Sequence, residues 1–83
     1  FEGLLANDFN WISLPPTVEK TVEAKTRYNG NAVPAIVSVR ENGDVFLRFP
    51  EKERAVTKGQ AVVLYDGDLV LGGGTIVEGY KKL

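Results

Sequence analysis

From Thr21 onward apolar and polar residues alternate, with Val22, Ala24, Thr26 and Tyr28 on one side of the chain and Glu23, Lys25 and Arg27 on the other. A period of two is that of a half-buried strand, whose successive side chains point to opposite faces. Asn29-Gly30 breaks the run. Val33, Ala35, Val37 and Val39 then alternate with Pro34, Ile36, Ser38 and Arg40, and after Glu41-Asn42-Gly43-Asp44 the alternation resumes as Val45, Leu47 and Phe49. Asn-Gly between alternating runs predicts a hairpin with a type I′ turn, in which both central residues need positive φ. Pro34 has no ladder donor, which suits an edge position or the start of a strand, and Pro50 closes the strand that ends in Phe49.

Residues 51–60, EKERAVTKGQ, read as a polar connection, 61–66, AVVLYD, as a strand, Asp66-Gly67 as a second turn, and 69–77, LVLGGGTIV, as a last strand or strand pair. No stretch longer than about seven residues has helical periodicity. Short β-runs at roughly ten-residue spacing predict an all-β fold, an antiparallel barrel or sandwich. Its core is expected to include Val22, Ala24, Val37, Val39, Val45, Leu47, Val62 and Leu64. Residues 1–20, FEGLLANDFNWISLPPTVEK, hold the aromatics Phe9 and Trp11 and the breaker Pro15-Pro16, and read as a lead-in segment, leaving 21–83 as the β-barrel domain.

Eighty-three residues make one domain, and a domain of this size buries only about 60% of the surface its unfolded chain exposes. Cysteine and histidine are both absent, which removes the thiolate nucleophile, the cysteine-ligated zinc and the commonest general base. The net charge of −1 and pI of about 5.3 require any affinity for nucleic acid to come from a local patch. No apolar run approaches about eighteen residues and no basic start precedes an apolar stretch, so neither membrane contact nor secretion is expected and the cytoplasm is the default. A chain that starts at Phe1 is expected to be an excised piece of something longer, and monomeric.

Gly72-Gly73-Gly74 lacks the spacing and the lysine of a phosphate-binding loop and runs into Thr75-Ile76-Val77 rather than a helix; glycines at a strand bend or bulge fit better. Asp66 and Asp68 flank a glycine as ordinary turn residues do, without the register of a calcium loop. Lys25 and Arg27 share the outward phase of one strand, with Tyr28 at its end and Asn29 and Asn31 beyond. Cations, an aromatic and amides at a strand end can hold phosphates and stack on a base; the same residues also make an ordinary solvated strand face. Trp11, the sole tryptophan, suits a core or interdomain anchor better than a stacking platform.

The stretches NDFNWIS (7–13), AKTRY (24–28) and above all RAVTKGQAVVLYDGDLVLGGGTI (54–76) resemble the C-terminal β-barrel domain of bacterial tRNA-specific 2-thiouridylases, in register over nearly the whole chain. The resemblance implies a small antiparallel Greek-key barrel similar to the second domain of translation elongation factors. It also implies a parent enzyme that uses ATP to adenylate the 2-position of the wobble uridine and installs sulfur from a persulfide cysteine. ATP site and cysteines would lie in that parent's N-terminal PP-loop domain, so no catalytic residue, cofactor or metal is expected in this chain. Its partners would be the tRNA anticodon arm and the parent's central and catalytic domains.

Carried over by position, the resemblance puts tRNA contacts on Arg27 and Tyr28 and on Gln60 of the Gly-Gln pair, with Lys25 and Lys58 beside them. Lys58 stands where relatives commonly have proline, and Asn29-Gly30-Asn31 is neutral where they tend to be basic. Arg27, Tyr28 and Gln60 are expected to form one cluster, since closure of a small barrel brings the end of the first predicted strand beside the loop before AVVLYD. Two alternatives stand beside this: a structural barrel docking on neighbouring domains through Trp11, Phe9 and Phe46, and a small flavin- or nucleotide-binding barrel.

Overall fold

The computed structural model describes residues 1–26, 31–53 and 56–83. Six strands, β1 (Gly3–Trp11), β2 (Lys20–Thr26), β3 (Val33–Val39), β4 (Val45–Arg48), β5 (Ala61–Asp66) and β6 (Leu69–Tyr80), close into a barrel in the order β1-β4-β3-β2-β5-β6. Every neighbouring pair is antiparallel. Since β2, β3 and β4 are successive neighbours and β1 lies beside β4, this is the Greek-key arrangement. Of the barrel and the sandwich that the alternation allowed, the chain forms the barrel. Residues 69–77 belong to one long strand, and no helix long and apolar enough to cross a membrane occurs among the described residues.

The segment expected as a lead-in supplies a full barrel strand. β1 pairs with β4 on one side and β6 on the other, so the barrel begins at Gly3 and not at Thr21. Its alternation is hidden by a bulge. Asn7 faces Thr75 and Asn10 faces Gly73, leaving Asp8 and Phe9 opposite Gly74 alone, with Asp8 at φ 50°. One extra residue reverses the phase of a strand: Leu4 and Ala6 are buried before the bulge, whereas Phe9 and Trp11 pack against the core after it.

The glycine triplet makes that pairing possible. A Cβ on Gly74 would lie 2.5 Å from Phe9 Cδ1 and 2.6 Å from the Asn7 carbonyl oxygen, and one on Gly72 would lie 2.6 Å from the Asn10 carbonyl oxygen. These glycines therefore let β1 and the Phe9 ring close onto β6, the role expected of them at a bend or bulge.

The interior holds Val22, Ala24, Val37, Val45, Leu47, Val62 and Leu64 as expected, together with Leu4, Ala6, Ala35, Phe49, Leu71 and Ile76. Val39 is the exception, half-buried at the rim. Pro34 faces Glu23 of β2, and pairing with β4 starts only at Ile36, so its missing donor disturbs no ladder on that side.

The Asn42-Gly43 turn departs from the type I′ expectation. Gly43 has φ +93° while Asn42 has no positive φ; Gly43 N–H donates to the Arg40 carbonyl at 2.9 Å and Arg40 N–H to the Asp44 carbonyl at 2.8 Å. This is a three-residue loop ending in a glycine bulge. Asn42 Oδ1 accepts from Asp44 N–H at 3.0 Å, so Asn42 shapes the loop with its side chain instead of a left-handed backbone. Gly67, at φ +61°, takes the first central position between the paired Asp66 and Leu69, as a type II′ turn requires.

The connections thus fall at two ends. Residues 12–19, 40–44 and 67–68 gather at one, the hairpin end; the β2–β3 and β4–β5 connections lie at the other, the loop end. Gly74→Ala should lower stability by about 1–3 kcal/mol through overpacking, while Thr75→Ala, at an exposed neighbour, should stay within about 0.5 kcal/mol. Urea denaturation of both variants measures the difference, and equal, small losses would mean that β1 and β6 do not meet tightly.

Candidate nucleic-acid interface

Along β2, Val22 and Ala24 point inward and Glu23 and Lys25 outward. Lys25 faces Val63 of β5 and Thr26 faces Val62. Gln60 precedes Val62 by two residues, so the end of β2 and Gln60 lie on neighbouring, hydrogen-bonded stretches of backbone at the loop end. Arg27 and Tyr28, which follow Thr26, lie outside the described residues.

Gln60 is placed by its backbone. Its N–H donates to the Thr57 carbonyl at 3.2 Å across Lys58-Gly59, and Gly59 has φ +85° while Lys58 has no positive φ. That combination defines a type II turn, whose third position calls for glycine and whose second favours proline. Gly59 N–H donates to the Ile76 carbonyl at 2.8 Å, and Ile76 N–H donates to the Gln60 carbonyl at 2.9 Å. Two residues, Gly59 and Gln60, therefore oppose one on β6: a glycine bulge, which ends a ladder and re-aims the side chain after it.

The half-buried Gln60 shares the phase of buried Val62 and Leu64, which puts it at the barrel rim, whereas Lys25 projects from the outer face of β2. The two reach the same end of the barrel but not the same face. The Gln60 carboxamide carries two N–H donors and a carbonyl acceptor at that rim.

Lys58 is not the bare cation its position suggested. Its Nζ lies 3.3 Å from Glu78 Oε2, with both side chains largely in solvent. Such a pair adds little stability, yet it partly neutralises the charge nearest Gln60. Glu78 escapes sequence reasoning because it stands on β6, far along the chain; the bulge and the β5–β6 ladder bring it near. A cleft at the same end is lined by Ala24, Thr26, Asn31, Val33, Phe49, Glu53 and Val56.

The aromatics considered for docking are engaged on the barrel itself. Phe9 and Trp11 pack as tilted rings with centroids 4.7 Å apart, and the Phe46 and Tyr80 centroids lie 6.0 Å apart with the Arg40 guanidinium 5.2 Å from the Phe46 centroid. Among the described residues no group of three or more Asp or Glu side chains converges to hold a metal. Asp66 instead pairs with Lys20 at 3.2 Å.

A closed six-stranded Greek-key barrel whose glycine-built bulges set a polar rim is the architecture of a small β-barrel module. Residues 1–76 match the family described as the aminomethyltransferase beta-barrel domain, and the chain belongs to it. The chain is similar to the tRNA-specific 2-thiouridylase MnmA of Exiguobacterium sibiricum, with 46% identity over 81 residues that make up 96% of this chain and 22% of that protein. It is likewise similar to the proteins of that name from Chromohalobacter salexigens, 47% identical over 76 residues, and Geotalea uraniireducens, 47% identical over 77, each match covering 90% of this chain and 20% of the relative. The chain spans about a fifth of the length of these curated relatives. The resemblance read from 7–13, 24–28 and 54–76 holds over nearly the whole chain.

Gly59→Ala should cost about 1–2 kcal/mol, the strain of a left-handed L-residue. Lys58→Pro should add about 0.4–1 kcal/mol, because it restricts the unfolded chain at a position the turn already favours for proline. Thermal or urea unfolding checks both, and a destabilising Lys58→Pro would contradict the turn type.

Proposed function

We propose that this barrel is an accessory tRNA-binding module of an ATP-dependent enzyme that thiolates the wobble uridine of tRNA at its 2-position. The observation that carries the reading is the similarity, 46% identity over 96% of the chain, to a protein named as a tRNA-specific 2-thiouridylase. The geometry supports it: β2–β5 pairing gathers Lys25 and Gln60 at one end although they are far apart in sequence. Lys25 and Arg27 supply charge for the anticodon arm's phosphates, Tyr28 a ring that stacks or hydrogen-bonds, and Gln60 a carboxamide for a base edge or ribose.

Chemistry falls outside these residues. The chain has no cysteine to carry a persulfide, and no helix follows its glycine triplet to receive a nucleotide phosphate. Adenylation and sulfur transfer are therefore assigned to other parts of the longer protein, and the barrel contributes grip.

Binding of an anticodon stem-loop to the full-length protein, measured across a salt series, tests this. Arg27→Ala should weaken binding and flatten the salt dependence by about one phosphate contact, roughly 0.7–0.9 in the log–log slope. Gln60→Ala should weaken binding with little change in slope. Glu78→Gln frees Lys58 from its counter-ion and should tighten binding and steepen the slope. Unchanged affinity in all three variants would refute the assignment and leave the barrel a docking element.

A further inference from the structure

At the hairpin end, five aliphatic side chains face solvent: Ile12 is 71% exposed, Leu14 91%, Val18 74%, Leu69 68% and Val70 40%. They come from two segments that the fold binds together. Ile12 N–H and Ser13 N–H both donate to the Leu71 carbonyl, at 2.9 and 3.2 Å, and Lys20 Nζ pairs with Asp66 at 3.2 Å across the same junction. Trp11, Leu14, Pro15, Pro16, Val18 and Leu71 line a groove between them. Pro15-Pro16 stiffens this stretch in an extended form, since proline fixes its own φ and restricts the residue before it. An apolar surface held rigid before association loses little entropy on docking, and exposed Leu14 and Val18 on an apolar groove, with Ile12, Leu69 and Val70 exposed at the same end, suit an interaction site.

The surrounding charge says which partner suits the surface. The connections and strand ends here carry Glu19, Glu41, Asp44, Asp66 and Asp68 against Lys20 and Arg40. An acidic rim repels a polyanion and favours basic residues opposite it. An apolar centre within a charged rim is the anatomy of a protein–protein interface. This chain covers only about a fifth of its relatives, so a protein of their length has some four-fifths of its polypeptide outside the barrel.

We propose that the hairpin end, centred on Ile12, Leu14, Val18, Leu69 and Val70, docks on a neighbouring domain of the same longer polypeptide, against an apolar patch edged by Lys or Arg. The inference rests on the reading of the chain as one module of a longer thiouridylase. It places the docking surface at the end of the barrel opposite the Lys58-Gly59-Gln60 turn.

Hydrogen exchange on the full-length protein without RNA tests the docking. The amides of Leu14, Thr17 and Val18 belong to no strand and should exchange about tenfold or more slowly than unprotected loop amides. Leu14→Glu combined with Leu69→Glu should restore the unprotected rate there while Val63 and Leu64 of β5 keep theirs; Val18→Glu alone should act in the same direction and serves if the double variant fails to fold. Unprotected exchange in the wild type would overturn the proposal. Protection that rises with protein concentration would overturn it in favour of a second copy, and protection that appears only on adding an anticodon stem-loop would overturn it in favour of RNA. Because no RNA is present in the main arm, docking can be upheld even if the Gln60 and Arg27 variants sink the tRNA reading.

Discussion

The meeting of β1 and β6 is the contact on which the rest of the barrel depends. A six-stranded sheet left open would expose two rows of unpaired backbone groups. Here Gly3 through Trp11 reach across to Tyr80 through Gly72, and no edge remains. The approach is so close that a methyl group on Gly72 or Gly74 would run into the backbone of β1. The bulge at Asp8 and Phe9 bends β1 to follow it, and the register shifts again beside Val77 and Leu71 on β6. Glycine supplies the room and the bulges supply the curvature. What they enclose is an interior of small aliphatics, from Ala6, Ala24 and Ala35 to Leu47 and Leu64.

Closure also separates the chemistry of the two ends. With every strand antiparallel to its neighbours, alternate connections are driven to opposite mouths. One mouth receives tight turns, an acidic rim and exposed aliphatics. The other receives the end of β2 and the Lys58-Gly59-Gln60 turn, whose backbone is fixed by Thr57 and Ile76. A polar side chain set on such a turn is positioned by the fold before any ligand arrives, which lowers the entropy lost when a ligand binds.

Much of this was legible in the sequence, in places where one physical rule acted alone. From β2 to β5, period-two alternation placed Val22, Ala24, Val37, Val45, Leu47, Val62 and Leu64 inside, as observed. It faltered in β1, because a single extra residue reverses the inward phase and leaves a pattern with no clean period. Asn42-Gly43 announced a hairpin, but Asn42 could stabilise the loop by bonding Asp44, so the turn type differed. At the candidate site residues 51–60 read only as a polar connection, because Lys58 stands where a proline would have marked the type II turn and Gly59 alone signalled it. The Lys58–Glu78 pair had no local signal, since it depends on register between strands remote in sequence. The tRNA contacts expected of Arg27 and Tyr28 came from resemblance to a family, not from alternation, which says only that Arg27 falls on a polar phase.

The central claim is that RNA meets the loop end while the hairpin end stays clear of it. The most direct measurement is an NMR titration of the isotopically labelled barrel with a tRNA anticodon stem-loop, read residue by residue. The account predicts that the amide signals of Lys25, Thr26, Gly59 and Gln60 shift together with a common affinity, and that those of Ile12, Val18 and Gly67 do not move. Shifts confined to Ile12, Val18 and Gly67, with Gly59 and Gln60 unmoved, would contradict it.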